Sequence, residues 1–299
     1  MRIIITGAAG TLGSALCRHY CNDHEVVAVD INETELHYLS LDYRISPIVE
    51  DICNAQFWES QHADVVINCA AMKHVSTCEV NPFRALEVNA HALLHMDGDW
   101  RLLQISTDKA VYPVNAYGFS KYIGEQIALD YGSVIRLVNI HYSNGCAELI
   151  WAEAARKGEP IVIRGENTRR HYITEQRAVH EIDYAVTHPH NLRGVTCHLL
   201  DPPCYKMTDI AQKIMDEHGQ TTIEYAPLMP GEKEVEDLAY PDVWESGFDY
   251  DAYIDEAFDA VYDRDRDLFD NLMRKYAPRK EVTVSEYMAQ HPKLFGGTE

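Results

Sequence analysis

The sequence predicts an α/β protein built on a doubly wound parallel sheet. Three observations predict it. Short apolar runs alternate with amphipathic stretches through the first half of the 299 residues, which is the pattern of strands joined by crossover helices. A glycine-rich turn links the first strand to the first helix. The polar motifs all fall where strands end, the edge at which open α/β sheets bind ligands.

Taken in order, Arg2 to Thr6 reads as a buried strand and Thr11 to Tyr20 as an apolar-periodic helix. Val26 to Val29, Ile48 to Val49, Val65 to Asn68, Leu102 to Ile105 and Val134 to Leu137 are further short strands, with helices over Pro82 to His95 and Ala116 to Leu129. After about Asn139 the pattern loosens. A helix near Cys146 to Lys157 and a strand at Ile161 to Ile163 are followed by αβ character between Glu175 and Leu200. Residues 244 to 270 are rich in Asp and aromatics, with Ile254, Phe258, Val261 and Tyr262 at helical spacing, and are expected to form an amphipathic surface helix packed on the lobe, the alternative being a subunit interface.

The turn Gly7-Ala8-Ala9-Gly10-Thr11-Leu12-Gly13 has the spacing Gly-x-x-Gly-x-x-Gly. Glycines there permit a tight turn and bring a pyrophosphate close to the free N–H groups at a helix N-terminus. Asp30 ends the second strand 23 residues after Gly7. Its carboxylate suits the two ribose hydroxyls of adenosine and repels a 2′-phosphate, and Ile31 and Asn32 supply no Arg to offset that, so NAD is expected ahead of NADP.

The segment Ser106 to Lys121 carries Tyr117-x-x-x-Lys121, with Asp108 and Lys109 nine and eight residues before the Tyr. Residues i and i+4 share a helix face, so Lys121 is expected beside Tyr117, favouring a phenolate near neutrality that serves as base in hydride transfer. Asp108 and Lys109 are adjacent, and on a continuing strand they would point to opposite faces and not pair.

These motifs resemble the extended short-chain dehydrogenase/reductases, whose dinucleotide-binding part is Rossmann-type. The branch most similar is the UDP-N-acetylglucosamine 4,6-dehydratases of polysaccharide and flagellin-glycan biosynthesis. Asn68 to Val75, Glu79 to Pro82 leading to Asn89, Ser106 to Lys121, and Pro230-Gly231-Glu232-Lys233 carry the likeness, over roughly residues 1 to 238. The resemblance implies a dinucleotide-binding domain (1–140 with roughly 172–205) and a smaller α/β substrate-binding lobe (141–171 with 206–299). It implies a cofactor contacted by Gly7, Gly10, Thr11, Leu12, Gly13, Asp30, Asp51, Ile52, Ala70, Ala71, Lys73, Tyr117 and Lys121. Thr107 would hydrogen-bond the C4 hydroxyl of the sugar while Tyr117 removes its proton. Lys109 would take the C5 proton, for which it must be neutral, and Asp108 would protonate the departing C6 hydroxyl. A UDP-sugar would be held by Lys73, His74, Arg136, Asn139, Arg170 and Glu232.

Two features depart from the branch. Met229 stands where an Arg is usual, and the stretch Asn89 to Ser106 is about six residues short, which shortens a helix often found at a dimer interface. A homo-oligomer is still expected. A 4-epimerase would need Tyr117 and Lys121 without Asp108 or Lys109, and a silent NAD(P)-sensing protein would need none of the catalytic set.

Composition sets outer limits. Lys plus Arg total 26 against 47 acidic residues, a net charge of −21, which argues against nucleic acid or an anionic membrane surface as partner. No apolar run reaches the ~18 residues of a membrane span and Met1 leads straight into the first strand, so a cytoplasmic protein is expected. The eight Cys are scattered apart from Cys17 and Cys21, and no His pair sits with an acid on a clear helix. Reduced thiols and no metal are expected.

Overall fold

The structure, a computed structural model, describes residues 1–187, 193–199, 201–239, 257, 266–272 and 281–283. The chain opens with β1 (Arg2–Thr6), α1 (Thr11–Tyr20), β2 (Glu25–Asp30), α2 (Glu33–Asp42), β3 (Ser46–Val49), α3 (Ala55–Glu59) and β4 (Val65–Asn68). It continues through α4 (Val75–Val80), α5 (Pro82–Asn89), β5 (Arg101–Thr107), α6 (Ala116–Tyr131) and β6 (Gly132–Leu137). Then come β7 (Asn139–Ile140), α7 (Ala147–Lys157), β8 (Ile161–Arg164), β9 (Arg169–Ile173), α8 (Glu175–Thr187), β10 (Thr196–His198), β11 (Cys204–Lys206), α9 (Met207–His218) and β12 (Ile223–Ala226). Two short pieces, α10 (Arg266–Leu272) and β13 (Glu281–Thr283), complete the described residues.

Eight strands form the main sheet in the order β3-β2-β1-β4-β5-β6-β10-β13, all parallel to their neighbours. Helices cover both faces, so Ile3, Ile4 and Ile5 are all fully buried and the strand is continuously apolar rather than alternating. One face is packed by Leu86 of α5 with Phe119, Tyr122 and Ile123 of α6, the other by Leu16 of α1, Leu36 of α2 and Ile182 of α8. The direction of sheet growth reverses between β3 and β4. The loops after β1 and β4 therefore diverge to opposite faces and open a crevice at their C-terminal ends.

A third apolar cluster joins α7, β8, β9 and α9 through Trp151, Ile161, Tyr172 and Ile214. Its strands belong to two small sheets, β11-β9-β7 and β12-β8.

Two expectations need correction. The helix over Pro82 to His95 stops at Asn89: Ala90 leaves the helical region (φ −132°, ψ −62°) and His91–His95 forms a 3-10 turn. The Asn89 side chain is taken up by tertiary bonds to Met72 and Ser120. Part of the stretch expected in the lobe instead completes the main fold. Glu281–Thr283 pairs with the open edge of β10, and Phe269 packs edge-on against Phe119 at 4.9 Å. Of the surface helix expected over 244 to 270, Ile254, Phe258, Val261 and Tyr262 lie outside the described residues.

Candidate active site

The turn after β1 is shaped by contacts that only glycine allows. Gly7 has φ +64°, and a Cβ there would meet the Ala70 backbone nitrogen at 2.7 Å. A Cβ on Gly13 would lie 2.1 Å from the Gly7 carbonyl oxygen. The loop therefore packs tightly on the strand ends. Gly10 caps α1 without a side-chain oxygen, and the first turn carries no acid, so the helix presents unoffset N–H groups and positive dipole to a cavity of about 590 Å³. Every residue expected to contact the cofactor lies on the wall of that cavity.

Asp30 does two things at that wall. Its Oδ2 accepts from the Ala9 N–H at 3.0 Å and its Oδ1 from the Asn32 N–H at 2.9 Å, fixing the glycine loop against the end of β2. Asp51 is ion-paired with Arg84 at 2.7 Å. Burial alone would raise its carboxyl, but the Cys53 N–H and the Arg84 guanidinium hold it below the usual value. Ile52, beside it, is buried.

At the end of β5 the backbone does not continue as strand. Thr107 is the last strand residue, and Asp108–Ala110 forms a single 3-10 turn. The turn swings the two side chains together, so the expectation that Asp108 and Lys109 would not pair is overturned: Lys109 Nζ is 3.0 Å from Asp108 Oδ1. Thr107 Oγ1 donates to the same Oδ1 at 2.9 Å. Asp108 is 1% exposed and its Oδ2 has no hydrogen-bond partner among the described residues. Lys109 reaches the cavity wall, with Nζ also 3.5 Å from Asn139 Oδ1.

Helix α6 is seated against this turn. Asn115 caps it, its Oδ1 accepting from Gly118 N–H at 2.7 Å, and a Cβ on Gly118 would lie 2.2 Å from the Lys109 carbonyl oxygen. That close approach brings Tyr117 near Thr107, whose hydroxyl favours the ionised form of the phenol. Burial pushes the Tyr117 phenol above its ordinary value; Thr107 offsets part of this and the charge of Asp108 adds to it. The phenolate expected near neutrality is therefore not supplied by the chain alone, because desolvation outweighs the lowering effect of Thr107. Lys121 Nζ donates to the Ile105 carbonyl at 2.5 Å, and burial pulls its ammonium down to about 8, with Glu125 opposing.

A second cavity, about 1060 Å³, is lined by five of the six residues expected to hold the substrate: Lys73, His74, Asn139, Arg170 and Glu232. It meets the first cavity at Lys73, Asn139 and Ser143, which line both. Burial pulls the Lys73 ammonium down, and its Nζ donates to Asn144 O at 2.6 Å. Arg136 is the exception. It is 3% exposed and lines neither cavity; its guanidinium binds the fully buried Glu125 through two bonds of 2.9 and 2.6 Å. A side chain in the middle of the sheet points into the layer of α6, and the acid it meets there decides its role.

The Pro230–Lys233 segment is tied to the site from outside. Lys233 Nζ donates to Val111 O at 2.7 Å and Asn115 Nδ2 to Gly231 O at 2.7 Å. Sequence reasoning missed Glu236, 6% exposed, raised by burial and within reach of the charges of Lys109, Asp108, Arg170 and Lys233. It missed His171 as well, whose buried Nδ1 has no partner among the described residues. It also missed Arg164, which lines the second cavity. No local pattern marks these three, since tertiary packing alone brings them in.

The sequence model of a family described as polysaccharide biosynthesis protein matches residues 3–255. The chain is similar to an uncharacterized membrane protein of Methanocaldococcus jannaschii, 27% identical over 79% of each chain. It is equally similar, at 27%, to the "Probable polysaccharide biosynthesis protein EpsC" of Bacillus subtilis, covering 79% of this chain and 44% of that one. The chain thus spans less than half the length of that relative. A UDP-glucose 4-epimerase of Rickettsia typhi is 24% identical over 79% of this chain and 76% of its own. Among solved structures, the dTDP-glucose 4,6-dehydratase DesIV of Streptomyces venezuelae, with NAD and TYD bound, matches with a TM-score of 0.71 at 18% identity. The match covers 91% of this chain and 100% of that one, and it shows the shared Rossmann-type fold.

Proposed function

The chain belongs to the polysaccharide biosynthesis protein family, a family of nucleotide-sugar dehydratases and epimerases, and from that premise we propose that it is an NAD-dependent 4,6-dehydratase acting on UDP-N-acetylglucosamine. The observation that carries the reading is the meeting of Thr107, Lys109 and Tyr117 on the wall of the dinucleotide crevice, with Asp108 buried against Thr107 and Lys109, beside a second cavity with Arg170, Lys73 and His74 on its wall. Those basic groups suit a nucleoside diphosphate. The glycine cradle, the open N-terminus of α1 and Asp30 suit NAD. NAD, when bound, would accept a hydride from C4 of the sugar and give it back at C6.

The chain's own residues then divide the proton work. Thr107 orients the C4 hydroxyl and Tyr117 takes its proton, assisted by the nearby Lys121. A keto group at C4 acidifies the C5 proton, which Lys109 removes from the cavity wall. Asp108, directly behind Lys109, supplies the proton with which the C6 hydroxyl leaves as water.

The rival is a 4-epimerase, favoured by the names of several relatives. It needs Tyr117 and Lys121 but gives the Asp108–Lys109 pair nothing to do. Incubating the protein with NAD and UDP-N-acetylglucosamine and weighing the product decides between them. A product lighter by one water supports the dehydratase, and unchanged mass with inverted C4 supports the epimerase.

A further inference from the structure

The turn between β7 and α7 touches both rims of the crevice. The Cys146 N–H donates to the Ser143 carbonyl at 2.9 Å, and Gly145 has φ +72° while Asn144 stays out of the left-handed region. Ser143 to Cys146 is therefore a type II turn, with glycine at the position that needs a left-handed backbone. At its tip the Asn144 N–H donates to Thr11 Oγ1 at 2.9 Å, and the Asn144 carbonyl accepts from Lys73 Nζ at 2.6 Å. Thr11 opens α1 on the β1 side of the crevice, and Lys73 follows β4 on the other. The backbone of one residue thus ties the two rims together. Gly145 lies against His74, where a Cβ would come within 2.6 Å of the ring Cε1.

The root of the turn is fixed separately. Glu148, 2% exposed, accepts from the Tyr142 N–H at 2.8 Å and meets His141 Nδ1 at 2.7 Å. That carboxylate holds Tyr142 at φ +55°, a backbone conformation unfavourable for a bulky residue. A strap with a fixed root, whose tip is bonded to other elements, opens at the tip without unfolding. Its place between the ligand cavities gives the opening a consequence. Thr11 lines the first cavity, Asn144, Gly145 and Cys146 line the second, and Ser143 and Lys73 line both.

We propose that the Ser143–Cys146 turn is a clasp that retains the dinucleotide in the first cavity and is held shut by the nucleotide-sugar in the second, so that the two ligands bind cooperatively. The inference rests on the reading of the cavities as NAD and UDP-sugar sites, and it gives Asn144 a positioning role exerted through its backbone. The closed turn spans the gap between Thr11 and Lys73, and the same residues make the wall of the second cavity. A ligand that uses this wall favours the closed turn, and by linkage the closed turn favours both ligands equally. Retention suits the proposed chemistry, because loss of the cofactor between the two hydride transfers would strand an oxidised sugar.

Asn144→Pro isolates the clasp. Proline fits the second position of a type II turn, so the substitution deletes the N–H that reaches Thr11 and keeps the carbonyl that Lys73 binds. Thr11→Val removes the same bond from the other end, and Thr11→Ser keeps it. Each protein is loaded with NADH and chased with excess NAD, and release is followed by NADH fluorescence. Saturating UDP should slow release from the wild type by at least about fivefold, the low end of ordinary coupling between sites. Without UDP, Asn144→Pro and Thr11→Val should each release NADH roughly fivefold faster than the wild type, the worth of one hydrogen bond. Both should lose most of the UDP effect, and the double variant should add nothing to either single one. Thr11→Ser should behave as the wild type.

Wild-type release and a wild-type response to UDP in Asn144→Pro would overturn the clasp. So would fast release in Thr11→Val with Asn144→Pro unchanged, which would place the Thr11 hydroxyl on the cofactor directly. Failure of the substrate reading is seen separately, since calorimetry would then find no UDP binding to the wild type while the release rates without UDP still compare the variants. Hydrogen exchange on the wild type gives a readout that needs no variant. Amides of residues 143–146 should be protected more by NAD and UDP together than by either alone, and protection no greater than that given by one ligand contradicts the coupling.

Discussion

Lys109 folds back onto its sequence neighbour, its Nζ 3.0 Å from Asp108 Oδ1, because the chain turns at Thr107 instead of continuing as strand. The base and the acid of the proposed elimination are therefore one unit. Lys109→Ala should leave C4 oxidation in place and abolish exchange of the C5 proton with solvent deuterium, a loss of roughly 10²–10⁴-fold. Tyr117→Phe should instead block the first hydride transfer. Wild-type C5 exchange in Lys109→Ala would show that the base lies elsewhere.

Arg136 and Glu125 form a fully desolvated pair with Ser106 donating to the same carboxylate. Removing Arg136 leaves that charge buried and uncompensated. Arg136→Met should destabilise the fold by about 3–5 kcal/mol in urea unfolding, and the double variant Arg136→Met with Glu125→Gln should cost less. Affinity for UDP in the folded fraction should be unchanged, since Arg136 touches neither cavity. Weakened UDP binding without loss of stability would restore a substrate role.

Lys121 carries a cost for function. Its ammonium is pulled down to about 8 from 10.5, so the unfolded chain binds this proton more tightly than the folded one. The penalty is full below about pH 8 and fades as pH rises through the unfolded value near 10.5. At 1.36 kcal/mol per unit it amounts to about 3 kcal/mol. Lys121→Met should therefore raise stability near pH 7 by about 1–3 kcal/mol, part being lost with the bond to Ile105, while turnover disappears. A variant that is both inactive and less stable would contradict this reading.

Asp30 should make the site prefer NAD. A 2′-phosphate would face a carboxylate followed by Ile31 and Asn32 rather than a basic residue, while Arg84 on the same cavity is paired with Asp51, so calorimetric titration of cofactor-stripped protein should find NAD tighter by at least about tenfold, that is about 1.4 kcal/mol. Asp30→Ala should narrow the preference and weaken both ligands, because Ala9 N–H loses its acceptor. Tighter NADP binding in the wild type would refute the assignment.

Much of this site was legible in the sequence where local pattern and tertiary role coincide. β1, α1 and β4 have the boundaries read from their apolar runs, since strands covered on both faces must be continuously apolar. The glycine spacing is equally local: each glycine answers a backbone contact within the turn or with the neighbouring strand end. Pairing decided by backbone direction was not legible. One 3-10 turn reversed the expected relation of Asp108 and Lys109, and the Asn89 side chain, engaged by Met72 and Ser120, sits where α5 stops. Arg136 shows a related limit. A cation at a strand end reads as a ligand contact until an acid one helix away, Glu125, is seen to hold it.

The central claim is a dehydration in which hydride leaves C4 and returns to C6 of the same sugar. The most direct test supplies UDP-N-acetylglucosamine deuterated at C4 to the holoenzyme without external reductant and locates the label by mass spectrometry. The account predicts deuterium in the C6 methyl group of a product lighter by one water, with no net consumption of cofactor. Deuterium retained at C4 with that centre inverted, or label lost to solvent, would contradict it.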